Sequence, residues 1–354
     1  MKKNIFISVL FLALVSCAKF HYIPHCNEFN IRLIVTNNCV ENIDADYSEL
    51  VYEWDEEKYG KSISYNSDTL SCVVLDSLFE KKEDVEVIRD IEKRLELEYP
   101  NTYNLILHNK TEKTIYSTGV KKYIAEAGYV GFNSDFGYSE PRGVINQSEE
   151  LCKSFERDVF SIITEKELTL NDMELLEDGT YIYNCVINHD MIPVSFVYFV
   201  QVIIYDDDKD IPMLVSNCNY IGICGVAESV DLVSGDNGYD CGVVETFDVK
   251  PFQSNENYSV CCAKLTTYGL PKLRNESSWN EERNCEVGIE FQLLTGKIKR
   301  GKVSVAKKME EIPHGGVITI ILNNSEIYNS SDFINDGINP QVNDWDEVII
   351  DIPF

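Results

Sequence analysis

Apolar and polar residues alternate with a period of two along much of this chain. Val287, Ile289, Phe291 and Leu293 are interleaved with Gly288, Glu290, Gln292 and Leu294. Tyr103, Leu105 and Leu107 alternate with Asn104, Ile106 and His108, and Tyr181, Tyr183, Cys185 and Ile187 with Ile182, Asn184, Val186 and Asn188. Successive side chains of a strand point to opposite faces, so each pattern predicts a strand with one row in a core and the other toward solvent. The 20 Tyr and 16 Phe suit such pleated, half-buried surfaces. Turn signals punctuate the runs at Asp178-Gly179, Ser234-Gly235, Asn237-Gly238, Thr295-Gly296 and Gly315-Gly316. Many short strands separated by turns predict an all-β protein built of β-sandwiches.

Two stretches depart from this pattern. Asn146 and Glu149 have the spacing of a capping box, and Leu151, Phe155, Val159 and Ile162 then share one helical face, which predicts a helix. Between Ser77 and Tyr99 both readings stand: Val85, Ile88, Ile91 and Leu95 suit a helix, while Leu95 and Leu97 alternate as a strand running into Pro100. A domain boundary is predicted near Pro141 to Glu150, where a Gly/Tyr/Ser-rich patch meets the helical pattern. A chain of 354 residues favours two domains over one. The resulting division is a leader over 1–16, a tether over 17–28, a first sandwich over 29–145 and a second over 146–354. No repeat of fixed period and no low-complexity tract interrupts it.

The first twenty residues change the picture. Met1-Lys2-Lys3 is positive, Ile5 to Val15 is apolar and uncharged, and Leu14-Val15-Ser16-Cys17 matches the pattern that a lipoprotein signal peptidase reads. The apolar run is too short to span a bilayer, which takes about 20 residues. Cleavage would make Cys17 the first residue and the acceptor of acyl chains, each buried CH₂ contributing about 0.8 kcal/mol of membrane affinity. Two or more chains hold a domain on a membrane without a spanning helix. Ala18-Lys19-Phe20-His21-Tyr22 carries no acid, so surface and periplasmic faces both stay open.

Composition narrows the partners. With 31 basic against 59 acidic residues the formal charge is −28, which leaves no excess of cations to neutralise a nucleic-acid backbone. Beyond Cys17 stand eleven cysteines, an odd number that cannot pair completely. Several lie in apolar strand-like runs, as Cys72, Cys185 and Cys261 do, and there a thiol serves as a small buried hydrophobe. No Cys-x-x-Cys spacing points to zinc or dithiol chemistry.

Candidate sites each meet a simpler reading. Gly296 to Lys302 approaches a P-loop, but Val303 stands where Ser or Thr would hold magnesium, and a basic hairpin tip accounts for it better. His314-Gly315-Gly316 resembles an oxyanion loop without a Gly-x-Ser-x-Gly elbow, and a turn explains it. Asp206 to Asp210, and Asp236, Asn237 and Asp240, lack the spacing of a calcium loop and read as solvated turns. His21, His25 and Cys26 fall in the tether. No catalytic residue, metal site or cofactor is assigned, and no motif favours an enzyme. Trp54, Trp279 and Trp345 with nearby tyrosines are the residues that would supply an aromatic platform for a ligand.

Four stretches together resemble the fimbrillin-like lipoproteins of Bacteroidales-type bacteria. They are the Cys17 motif followed by an apolar run at Ile31 to Thr36; Tyr99 to Asn109, with Asn101 where the family usually has glycine; Gly225 to Gly235; and the close, Val342-Asn343-Asp344-Trp345 followed by Val348 to Phe354. The resemblance implies two tandem transthyretin-like β-sandwiches with minor helical segments. It implies an outer-membrane lipoprotein acting as a fimbrial anchor, accessory subunit or adhesin, with other fimbrial subunits or host and glycan surfaces as partners. In that family a terminal strand can pair with a neighbouring subunit, and by carry-over Val348, Ile350 and Ile352 would face one way as donor residues; a last strand that completes its own domain is the competing expectation. A glycan- or ligand-binding surface lipoprotein is the alternative function.

Overall fold

The computed structural model describes residues 28–39, 45–65, 68–88, 93–98, 102–132, 138, 143–159, 173–177, 179, 181–206, 215–273 and 284–329. Its strands, in chain order, begin with β1 (Glu28–Cys39), β2 (Thr69–Asp76), β3 (Lys81–Ile88), β4 (Lys93–Glu98), β5 (Tyr103–Asn109), β6 (Thr114–Gly119) and β7 (Lys122–Ala127). They continue with β8 (Tyr129–Phe132), β9 (Gly143–Ile145), β10 (Cys152–Glu156), β11 (Met173–Leu175), β12 (Tyr181–Pro193), β13 (Phe196–Tyr205) and β14 (Val215–Ala227). The rest are β15 (Ser229–Asp231), β16 (Cys241–Thr246), β17 (Lys250–Ser254), β18 (Tyr258–Thr267), β19 (Glu286–Leu293), β20 (Ile298–Ser304) and β21 (Gly316–Asn323). Among the described residues three short helices are complete, α1 (Glu56–Tyr59), α2 (Ala306–Glu311) and α3 (Asn324–Asn329), and Val159 is helical as well. The protein is all-β, as the alternating pattern predicts.

The strands form four sheets. One runs β3-β2-β5-β10-β12-β1-β4 with β11 paired to β12, and another is β15-β7-β6. Leu70, Cys72, Val74, Leu105 and Leu107 project from one face of β2 and β5 into a cluster that also holds Leu95 and Leu97 of β4. From the opposite face, Val73, Leu75 and Ile106 pack against Tyr123 and Ala125 of β7 and Val230 of β15. The strand pair β2–β5 is thus a middle layer with apolar contacts on both sides. That overturns one expectation: Asn104, Ile106 and His108 do not face solvent, and every residue of β5 is buried.

The remaining sheets, β17-β18-β13-β21 and β20-β19-β14-β16-β9-β8, face each other. Tyr198, Val200, Val202 and Ile204 of β13, with Cys261, Ala263 and Leu265 of β18 and Ile318 and Ile320 of β21, meet Ile221, Ile223, Val287, Ile289 and Phe291 from the partner sheet. Each fully buried side chain of this size stabilises by about 1.5–3 kcal/mol. Here β19 behaves as its alternation predicts, with Val287, Ile289, Phe291 and Leu293 buried and Glu290 and Gln292 half-buried. The outer face of the four-stranded sheet is covered too. Phe199, Ile203, Val260 and Cys262 pack under residues 45–63, which contribute Tyr52, Leu50, Val51 and Trp54. Strands β10, β11 and β12 belong to the sheet of β1–β5, whereas β9 joins the sheet of β14 and β16 through a parallel pairing of Val144 and Ile145 with Val243 and Val244.

Over Cys152–Glu156 the helix expected after Asn146 gives way to β10, which pairs with β5, while Val159 is helical and Ile162 lies outside the described residues. The physical reason is competition for the would-be cap. Glu149 turns away from Asn146 and accepts hydrogen bonds from the backbone N–H groups of Glu112, Lys113 and Thr114 at 2.7–3.0 Å. The Leu151 N–H donates to Ser195 Oγ at 2.6 Å, so the chain enters β10 already extended. Of the open stretch between Ser77 and Tyr99, Lys81–Ile88 and Lys93–Glu98 form strands β3 and β4, and Ile91 lies outside the described residues. Among the described cysteines, Cys72, Cys152, Cys218, Cys224, Cys261, Cys262 and Cys285 are buried thiols and Cys241 is half-buried. Burial pushes the Cys72 thiol up to about 12, which makes it inert packing.

Candidate functional site

A cleft of about 630 Å³ opens where three parts of the chain converge: residues 54–64, the end of β5 with the stretch before β10, and strands β16 to β18. Its aromatic wall is built locally. Asp55 caps α1 by accepting from Glu57 and Lys58 N–H at 3.1 Å, and Gly60, with φ +83°, ends the turn in a backbone conformation that side chains resist. The Trp54 indole N–H then reaches Gly60 O at 3.0 Å. Trp54 meets Tyr59 edge-on at 5.5 Å and Phe199 at 5.0 Å, so its ring is set on the sheet beneath. Lys250 Nζ lies 4.9 Å from the Tyr59 ring centre and 5.6 Å from that of Trp54.

The other walls are polar and closely bonded. Asn109 donates to Glu150 O and accepts from Cys152 N–H, both at 2.7 Å. Gln147 accepts from Thr266 N–H at 3.2 Å, tying the stretch before β10 to β18. Lys264 pairs with Glu150 at 2.5 Å and Lys250 with Asp248 at 2.5 Å. Burial raises the Glu149 carboxyl, but the three backbone donors and the Thr114 hydroxyl outweigh it and hold it below the ordinary range. The lining charges are therefore met by opposite charges or hydrogen bonds, and the cleft presents amide, hydroxyl and ring surfaces.

Trp54 is the one lining residue that the sequence offers as a ligand contact; Glu149 stood out there only as half of a capping box. Asn109, Gln147, Ser148 and Lys264 carry no local signal, because their roles depend on strands far apart in the chain meeting here. The other flagged stretches resolve as turns. Residues 293–298 close the β19–β20 hairpin, and Arg300 and Lys302 pair with Glu290 and Glu286 instead of cradling an anion. His314 lies against Phe196 at 5.0 Å in a turn. Asp236 pairs with Lys272 at 2.6 Å, and Asn237 donates to Tyr268 O and Leu270 O. Among the described residues no group of three or more His, Cys, Asp or Glu is placed to hold a metal ion, and no helix is long and apolar enough to cross a membrane. Cys17, His21, His25, Cys26, Asp207 to Asp210, Trp279, Trp345, Val348, Ile350 and Ile352 lie outside the described residues.

No family model matches the chain, and no curated protein does. Solved structures similar to it include a putative adhesin from Bacteroides ovatus, at 11% identity and a TM-score of 0.44, covering 82% of this chain and 88% of that one. Another is the fimbrial anchor protein Mfa2 from Porphyromonas gingivalis, at 10% identity and a TM-score of 0.39, covering 83% and 90%. A third is a putative polysaccharide binding protein from Bacteroides thetaiotaomicron, at 9% identity and a TM-score of 0.36, covering 83% and 90%. These names agree with the family that the sequence resembles.

Proposed function

We propose that the protein is a cell-envelope lipoprotein, tethered to the outer membrane through acylated Cys17, that serves as a fimbrillin-like structural or adhesive component. The observation that carries this reading is the order Lys2-Lys3, apolar Ile5 to Val15, then Leu14-Val15-Ser16-Cys17. Acyl chains on one cysteine suffice to hold a strand-built body on a membrane. The four-sheet β architecture supports the reading, since its sheets offer edges to other subunits. Val348, Ile350 and Ile352 are the proposed donor residues for that contact. Replacing Cys17→Ala is expected to abolish incorporation of a labelled fatty acid and to release the protein from sedimented membranes. Undiminished membrane retention of that variant would overturn the anchor.

A second reading, a ligand-binding surface lipoprotein, is favoured by the cleft beside Trp54 and Tyr59. The two readings are compatible, because an adhesin has to bind something.

A further inference from the structure

We infer that the cleft beside Trp54 continues over a ridge at Lys110–Thr111 into a second hollow, and that together they form an extended site for a neutral oligosaccharide. The inference rests on the ligand-binding reading and gives it a ligand class; it is independent of the lipid anchor.

The second hollow, of about 350 Å³, is lined by Ser71, Asp84, His108, Tyr116 and Tyr123 among others, and Lys110 and Thr111 line both hollows. Both volumes fall within or near the range of small-molecule sites, about 300–1,000 Å³. The ridge is fixed by a 2.7 Å hydrogen bond between the Thr111 and Tyr116 hydroxyls. Tyr116 stacks on His108 at 4.5 Å and on Tyr123 at 5.7 Å. Rings therefore border each end of the groove, Trp54 and Tyr59 at one and Tyr116 and Tyr123 at the other. Ring faces suit the C–H faces of sugars, while amide and hydroxyl groups suit their hydroxyls.

Two further observations point to a hydroxyl-bearing ligand. The hydroxyl of Ser148, which lines the first hollow, and Nε2 of His108, which lines the second, are buried without a hydrogen-bond partner. His108 Nδ1 lies 2.9 Å from Asn109 O, and a carbonyl only accepts, so Nδ1 carries the proton and Nε2 is left an acceptor. Unmet polar groups of this kind are costly in a folded protein, and one stands at each end.

The charges argue for a neutral chain. Lys81 pairs with Asp84 at 2.7 Å, Lys110 with Glu86 at 2.8 Å, Lys264 with Glu150 at 2.5 Å and Lys250 with Asp248 at 2.5 Å. These lysines are already met, and a chain of formal charge −28 repels acidic sugars. A peptide added as a strand is disfavoured, because the neighbouring edge strand β3 bears exposed Lys81, Lys82, Glu83, Asp84 and Glu86, charges that blunt an edge.

The test titrates the full-length purified protein with cello-, malto-, xylo- and manno-hexaose by calorimetry, alongside the corresponding disaccharides, oligogalacturonate and an extended uncharged peptide. At least one neutral hexasaccharide is expected to bind with a Kd of about 1 mM or tighter. The disaccharide is expected to bind about tenfold more weakly, because it fills one hollow. Tyr59→Ala and Tyr116→Leu should each weaken hexasaccharide binding by about fivefold. Ser148→Ala should weaken it by a similar factor while leaving the thermal midpoint at or above the unmodified value, since it removes an unpaired hydroxyl from the unliganded protein. The inference is overturned by no saturable binding of any neutral hexasaccharide, or by binding that all three substitutions leave unchanged. Equal affinity for disaccharide and hexasaccharide would also sink the two-hollow site. Binding of the peptide or of oligogalacturonate alone would overturn the ligand class and leave the ligand-binding reading standing.

Discussion

The aromatic wall of the cleft depends on one buried amide, and removing it tests how the molecule is assembled. Gln201 sits in the middle of β13, fully buried, in a strand that is otherwise apolar apart from its half-buried ends. Its carbonyl oxygen accepts from Val51 N–H at 2.9 Å and Tyr52 N–H at 3.3 Å, and its amide nitrogen donates to Glu49 O at 2.9 Å and Thr319 Oγ1 at 2.8 Å. Three of these bonds fasten residues 49–52 to the sheet, and that segment leads directly into Trp54 and Tyr59. Gln201→Leu keeps the volume and deletes all four. At about 0.5–1.5 kcal/mol net per bond the loss is about 2–6 kcal/mol. Part of it is recovered where the partly buried Val51 N–H and Glu49 O regain water, which brings the expectation to about 3 kcal/mol. With a urea slope of about 1–3 kcal/mol per molar, the unfolding midpoint should fall by about 1 M or more. Trp54 emission, recorded in a Trp279→Phe/Trp345→Phe background, reports on the segment itself, and proteolysis should nick residues 45–63 sooner. A midpoint within about 0.2 M of the parent, with unchanged Trp54 emission, would refute the idea that this amide holds the segment down.

Two further perturbations probe the sheets of β14 and of β5 separately. Gly225 sits at a break in register of β14, with φ +88°, where an added Cβ would collide with the backbone oxygen of Asn284; Gly225→Ala should therefore destabilise by more than about 2 kcal/mol in urea melts, and a change below about 0.5 kcal/mol would dispose of the bulge as a constraint. Burial holds the His108 imidazole below its ordinary pKa, with Asp84 opposing and Lys81 reinforcing the shift. Below about pH 6.5 the unfolded chain takes up a proton that the folded protein resists, so this residue costs stability as pH falls. His108→Phe should reduce the loss of stability between pH 7 and pH 5 by up to about 1.4 kcal/mol per pH unit, read from midpoints at the two values; an unchanged loss would show that His108 is not the titrating group.

Strand character was legible wherever one face alone is buried. In β19 the rows Val287–Leu293 and Glu290–Gln292 separate as their alternation says, because one side meets the opposing sheet and the other does not. In β5 the same alternation misled, since Ile106 and His108 are covered by the sheet of β6, β7 and β15. Period alone cannot report a second layer. Leu151, Phe155 and Val159 carry spacing that suits a helix; Val159 is helical, but over Cys152–Glu156 the strand won, because Ser195 Oγ and the main chain of β5 were available to bond it. The cleft was barely legible: Trp54 stood out by type, but Gln147, Ser148 and Lys264 reach it only through long-range pairing.

What the amino-acid order determined by itself is local: an apolar run ending in Leu14-Val15-Ser16-Cys17, the period-two strands, the turns between them and an acidic composition hostile to polyanions. Which strands share a sheet, which faces receive a second layer, and the convergence of three distant segments on one groove were decided only by the tertiary structure. Side-chain periodicity encodes which way a residue points along its own strand, whereas what it meets there depends on non-local pairing and on where buried polar groups find partners.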